Sequence, residues 1–154
     1  MEQIELNGKW SFTPEGENSS FTVNVPGTWK DDPALEGYDE GKYSRIFSVD
    51  EKQMKKRAIL RFGGVYRSAD VWVNGHKIDS HKGFQSPFSL DITNALKLGD
   101  NLLEVYVDGR IYDGECFGFM SIFELIPYAF DGIYDSVSLR FCEQQSLTSL
   151  YTPI

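Results

Sequence analysis

The 154-residue sequence predicts an all-β fold, an antiparallel β-sandwich, and three observations carry that reading. Apolar residues recur with a period of two, the spacing that sends successive side chains of a strand to opposite faces. Asn74-Gly75 lies between Val71-Trp72-Val73 and His76-Lys77-Ile78, a strong hairpin signal because a type I′ turn needs positive φ at both central residues. Turn residues separate the runs roughly every eight to twelve positions, the rhythm of a sandwich.

In chain order, Phe21, Val23 and Val25 form the first alternating run, and Pro26-Gly27 closes it. Ala58, Leu60 and Phe62 alternate with Ile59 and Arg61 and stop at Gly63-Gly64. Ala69, Val71 and Val73 alternate with Asp70, Trp72 and Asn74, and Trp72, on the outer row, is expected to pack under a covering segment. Pro87 and Gly99-Asp100 mark further turns. Leu103, Val105 and Val107 then alternate with Glu104, Tyr106 and Asp108, and Val137, Leu139 and Phe141 follow Asp131-Gly132. Helical signal is confined to Glu51–Arg57 and to Asp91–Leu96, one turn that Asp91 or Thr93 could cap. Two charges interrupt apolar rows: Arg45 among Tyr43, Phe47 and Val49, and Asp135 among Ile133, Val137 and Leu139. A lone buried charge costs several kcal/mol, so each lies at an open strand end or pairs. The sharper expectation is that the two meet at one mouth of the sandwich.

Composition narrows the function. Lys plus Arg total 15 against 23 Asp plus Glu, a net charge of −8. That argues against nucleic acid and anionic membrane as partners, since both need a basic face. With 11 Phe, 8 Tyr and 3 Trp the chain collapses around its rings, which excludes disorder. At this length about 70% of the unfolded surface can be buried. No apolar run approaches the ~18 residues of a membrane span. Met1-Glu2-Gln3-Ile4-Glu5 has neither basic nor apolar signal regions, so no signal peptide is expected and the compartment stays open. Cys116 and Cys142 read either as one bridge or as two small buried hydrophobes.

Known catalytic patterns are missing from the sequence. There is no phosphate-cradling Gly-rich loop and no G-x-S-x-G elbow. His76 and His81 would face opposite ways on one strand, so neither metal nor cofactor is expected. Asn18-Ser19-Ser20 is a formal glycosylation sequon. Trp29 and Tyr38 bracket a polar loop, Lys30–Lys42, that holds Asp31, Asp32, Glu36, Asp39 and Glu40. Phe117, Phe119, Phe123, Tyr128 and Phe130 crowd a second loop-like stretch. Such rings either seal the ends of the sandwich or, exposed beside carboxylates, offer a flat face to a sugar.

Seven motifs in order then become specific. Leu6-Asn7-Gly8-Lys9-Trp10-Ser11-Phe12, Val25-Pro26-Gly27-Thr28-Trp29 and Tyr43-Ser44-Arg45-Ile46-Phe47 open the series. Phe62-Gly63-Gly64-Val65 with Ala69-Asp70-Val71-Trp72-Val73-Asn74-Gly75 continues it, then His81-Lys82-Gly83-Phe84 with Pro87-Phe88-Ser89-Leu90-Asp91-Ile92-Thr93. Gly99-Asp100-Asn101-Leu102-Leu103 and Gly132-Ile133-Tyr134-Asp135-Ser136-Val137-Ser138-Leu139 complete it. Together they resemble the N-terminal sugar-binding domain of glycoside hydrolase family 2, the family of β-galactosidases, β-glucuronidases and β-mannosidases.

The resemblance implies a jelly roll of the galactose-binding-domain-like type, with residues 1–154 as a single domain cut from a larger multidomain glycosidase. It implies that an immunoglobulin-like domain and a barrel follow, and that the barrel holds both catalytic glutamates of a retaining exo-β-glycosidase. Neither glutamate would fall in this chain, which is therefore expected to be inactive alone. The implied partners are carbohydrate and those following domains, with room for a homo-oligomer. The aspartate that galactosidases and glucuronidases place six residues before the Gly-Ile pair is Ile126 here, and Asp135 stands where the family has Arg. Substrate contact is assigned to Asp31, Asp32 and Asp39 of the polar loop and to Glu124 and Tyr128. A stand-alone carbohydrate-binding module and a purely structural brace are the rival readings.

Overall fold

A computed structural model describes residues 2–81, 87–110 and 131–143. Its strands are β1 (Glu2–Glu5), β2 (Gly8–Pro14), β3 (Phe21–Val25), β4 (Glu40–Val49), β5 (Arg57–Phe62) and β6 (Val65–Tyr66). They continue as β7 (Ser68–Val73), β8 (His76–His81), β9 (Phe88–Asp91), β10 (Gly99–Asp108), β11 (Gly132–Ile133) and β12 (Val137–Cys142). A six-stranded sheet in the order β3-β2-β4-β10-β7-β8 faces a four-stranded sheet, β1-β12-β5-β9, and β6 pairs with β11. All of these strand pairings are antiparallel. This is the all-β sandwich that the alternation predicts.

The alternation works residue by residue. Phe12, Tyr43, Val73, Leu103, Val105 and Val107 of the larger sheet are fully buried, as are Ala58, Leu60, Phe62, Leu139 and Phe141 of the smaller. Most of their neighbours in sequence face water or the rim; β12 departs from this, with Ser138 and Cys142 also buried. Asn74 (φ 51°) and Gly75 (φ 82°) both adopt positive φ, which is what a type I′ hairpin between β7 and β8 requires. The register slips once, between Val71 and Trp72. Trp72 is half-buried, and the Lys77 ammonium lies over its ring, with Nζ 5.8 Å from the centroid.

The helical segments shrink to single turns. Helix α1 (Glu51–Met54) is held by a capping box between Asp50 and Gln53, and Arg57 already belongs to β5. The second segment is a 3-10 turn, Thr93–Ala95, fixed by the Asp91 carboxylate, which accepts from Thr93 N at 3.0 Å. Cys142 is a buried free thiol at the end of β12, and Cys116 lies outside the described residues.

The expected meeting of Arg45 and Asp135 does not occur. Arg45 Nη1 donates to the carbonyls of Leu6 (2.6 Å) and Asn7 (2.9 Å) instead. Asp135 is exposed and accepts from Ser136 N at 2.7 Å. The reason is local. Strand β2 pairs with β4 only from Ser11–Ser44 to Pro14–Gly41. Beyond that point Gly8–Trp10 stay with β3, while Arg45–Val49 stay with β10, and the sheet splits. The Arg45 side chain reaches across the split to the bend between β1 and β2 and donates to the backbone carbonyls there.

Candidate functional site

The loops converge at the sandwich end opposite this split. Thr28 caps a 3-10 turn, Trp29–Asp31, by accepting from Lys30 N at 3.2 Å, and Asp32 caps the next, Pro33–Leu35, by accepting from Ala34 N at 2.9 Å. These two caps fold the polar loop tightly against the end of the sheet. Trp29 anchors it from below: its ring is fully buried, stacks on Phe12 at 4.7 Å, and its Nε1 donates to Tyr38 O at 2.9 Å. Trp29 is therefore core and offers no face to a sugar. Tyr38 is half-buried, and its hydroxyl donates to Glu17 Oε2 at 2.7 Å.

Above Trp29 sits a buried ion pair. Lys30 Nζ lies 2.8 Å from Asp131 Oδ2, with side chains 7% and 5% exposed, and 3.4 Å from Asp39 Oδ1, whose side chain is 60% exposed. The second Asp131 oxygen, Oδ1, is buried with no hydrogen-bond partner among the described residues. Burial pushes the Asp131 carboxyl above its ordinary range; Lys30 pulls it back, and the charges of Asp39 and Asp108 push it further up. Burial works to lower the Lys30 ammonium, but Asp131 and Asp39 outweigh it and the net direction is upward. The close approach needs glycine at two places. A β-carbon on Gly109 would lie 3.0 Å from Asp131 Oδ1, and one on Gly132 (φ +121°) would overlap the Tyr43 hydroxyl.

A second charged cluster flanks the first. Arg110 Nη2 reaches Asp108 Oδ2 (2.9 Å) and Glu40 Oε2 (3.1 Å). The Tyr106 hydroxyl meets Glu15 at 2.5 Å and also Glu40, and burial with these carboxylates drives the phenol far above its ordinary value. Arg67 is 1% exposed, and its backbone N–H donates to Asp108 O at 3.2 Å. This end of the molecule is thus a cluster of carboxylates stitched by two cations, Lys30 and Arg110, and suited to accepting hydroxyl hydrogens. Among the described residues no group of three or more His, Cys, Asp or Glu could hold a metal ion.

The sequence-derived residues separate here. Asp31 is exposed and lines a shallow cleft of about 180 Å³ with Thr22, Asn24 and Thr28. Asp32 borders the same cleft, but one of its oxygens is committed to the Ala34 cap. Asp39 sits on the other flank, against Lys30. Glu124 and Tyr128 lie outside the described residues, as do Ile126 and the rings at 117, 119, 123 and 130.

A family model described as glycosyl hydrolases family 2, sugar binding domain, matches residues 6–142. The chain belongs to that family. Among curated relatives, the beta-galactosidase of Thermoanaerobacter pseudethanolicus is 29% identical over 96% of this chain. The beta-glucuronidase of Bacteroides fragilis is 29% identical over 97% of it. The sugar binding domain described here spans 22% of the length of each. Among solved structures, an uncultured Clostridium sp. beta-glucuronidase superposes with a TM-score of 0.77 at 25% identity, covering 93% of this chain and 29% of that one. A Bifidobacterium dentium beta-glucuronidase complexed with coumarin-3-O-glucuronide superposes at 0.75 with 27% identity, covering 91% and 30%.

Sequence reasoning did not reach the residues that organise the site in this sugar binding domain. Lys30, Asp131, Arg110 and Arg67 come together only in the fold. One signal was present in the sequence: Lys30 is the single cation before Lys42 in a loop holding five carboxylates.

Proposed function

We propose that this chain is a noncatalytic, single-domain module of a retaining exo-β-glycosidase similar to β-galactosidase or β-glucuronidase, shaping the active-site rim and bracing the catalytic domain. The observation that carries the reading is the match to the family 2 sugar binding domain over residues 6–142, on a chain spanning 22% of its galactosidase and glucuronidase relatives. Carbohydrate and the remaining domains of the parent enzyme are its partners, and self-association of the parent fits the same role. Two exposed carboxylates, Asp31 and Asp39, are the proposed sugar contacts, joined by Glu124 and Tyr128. Asp32 supports them by holding the loop through its cap.

The test has two arms. The isolated chain should release no nitrophenol from nitrophenyl β-galactoside or β-glucuronide. In the full-length enzyme, Asp31→Ala and Asp39→Ala should raise KM several-fold and leave kcat within about twofold, the pattern of lost ground-state binding. Turnover by the isolated chain refutes the accessory role, and an unchanged KM in both variants refutes the rim contact.

A further inference from the structure

A further cavity among the described residues extends away from the loop end. It is a groove of about 560 Å³ across the outer face of the six-stranded sheet, over the split between β2 and β4. It crosses β3, β2, β4 and β10, three interstrand spacings or about 14 Å. Its volume lies within the range of small-molecule sites. The lining holds two cations, Lys9 and Arg45, and no carboxylate, although the whole chain carries a net charge of −8. Among the described residues neither cation meets a carboxylate: Lys9 Nζ donates to the Asn24 side-chain oxygen at 2.7 Å, and Arg45 Nη1 to two backbone carbonyls. The adjacent acid, Glu104, is already tied to Lys42 at 3.0 Å.

The chemistry of Arg45 narrows the ligand. Both Nη1 hydrogens are used on Leu6 and Asn7, which fixes the guanidinium plane and leaves its Nε–Nη2 edge without a protein acceptor among the described residues. That edge is the planar fork that takes a carboxylate with two parallel hydrogen bonds. The same groove is lined by three hydroxyls, Ser11, Thr22 and Ser44, and two exposed apolar side chains, Ile46 and Leu102. Hydroxyl partners beside an apolar strip suit a sugar ring.

We propose that this groove, which meets the Asp31 cleft at Thr22, is a second saccharide site that binds a uronic-acid-bearing oligosaccharide through Arg45 and Lys9. The proposal rests on reading the chain as a sugar-binding module. It could fail while the rim role stands, because none of its residues belongs to the charged cluster around Lys30.

The experiment titrates the 154-residue chain with a galacturonic acid disaccharide and follows backbone amide shifts, with cellobiose and a tetraglutamate peptide as comparisons. The expected result is saturable binding of the uronate with shifts centred on Ser11, Ser44, Ile46 and Leu102. Cellobiose and the peptide should bind at least tenfold more weakly. Raising the salt from low ionic strength to about 0.2 M should weaken the complex several-fold, since the charges are partly exposed. Lys9→Gln, a surface change, should weaken it about fivefold. Arg45→Lys, which keeps charge but loses the fork, should weaken it about tenfold, the scale of one charge-assisted hydrogen bond. No binding, equal binding of cellobiose or the peptide, shifts confined to residues 29–39, or full affinity in Lys9→Gln would each overturn the proposal.

Discussion

Replacing Lys30 by Met should unfold this domain easily, and the buried pair supplies the magnitude. In the native protein Asp131 is 5% exposed and Lys30 is the partner of one of its oxygens, the other having none among the described residues. Lys30→Met therefore strands a carboxylate with no compensating cation among the described residues. Removing one member of a buried pair costs about 3–5 kcal/mol, which for a chain of this size lowers Tm by about 10 °C. The sign of the pH effect follows from Asp131. Its folded-state pKa is already raised by burial, and the loss of Lys30 raises it further above the unfolded value near 3.9. The folded state then binds its proton more tightly than the unfolded state does. The loss should be largest at neutral pH and shrink as pH falls through the folded pKa toward about 4. Asp131→Asn added to Lys30→Met should recover most of the stability, because an amide is cheaper to bury than a charge. Urea unfolding of wild type, both single variants and the double variant, at neutral pH and near pH 4.5, measures the coupling. Additive losses within about 0.5 kcal/mol, or a Lys30→Met deficit that grows on acidification, would refute the reasoning.

Two further outcomes follow from the core. Asn101 is 1% exposed and joins the β10 start to the β7–β8 hairpin. It accepts from Asn74 Nδ2 and Lys97 N, each at 2.8 Å, and donates to the carbonyls of Lys97 and Gly99. Asn101→Ala should therefore lose about 2–4 kcal/mol in chemical denaturation, with several buried groups orphaned at once. Trp29→Phe should cost less than Trp29→Ala, about 1–2 against 3–5 kcal/mol, and in a parent enzyme of the proposed kind neither should change KM beyond what reduced stability explains. A selective rise in KM with Trp29→Phe would return this ring to the sugar site.

How legible the molecule was in its sequence depended on the range of each interaction. The strands were legible because burial on one face imposes a period of two, and each of the alternating runs lies within or across an observed strand. The Asn74-Gly75 turn was legible because its conformational demand is local. Trp29 was ambiguous, since a ring beside a polar loop can point either way, and stacking on Phe12 decided it. Arg45 was placed in the right row, but its partners are the carbonyls of Leu6 and Asn7, and no spacing rule announces a backbone acceptor. Lys30 and Asp131 are far apart in sequence, and only sheet topology brings them within 2.8 Å.

Arg110, which Glu40 and Asp108 hold, and Asp131, which Lys30 holds, are the two framework positions that flank residues 111–130. Anchoring both positions in the sandwich keeps the entropic cost of chain length between them small, because closure depends only weakly on loop length. Exchanging residues 111–130 for a stretch of different length from a relative should therefore leave the denaturation midpoint of the sandwich nearly unchanged.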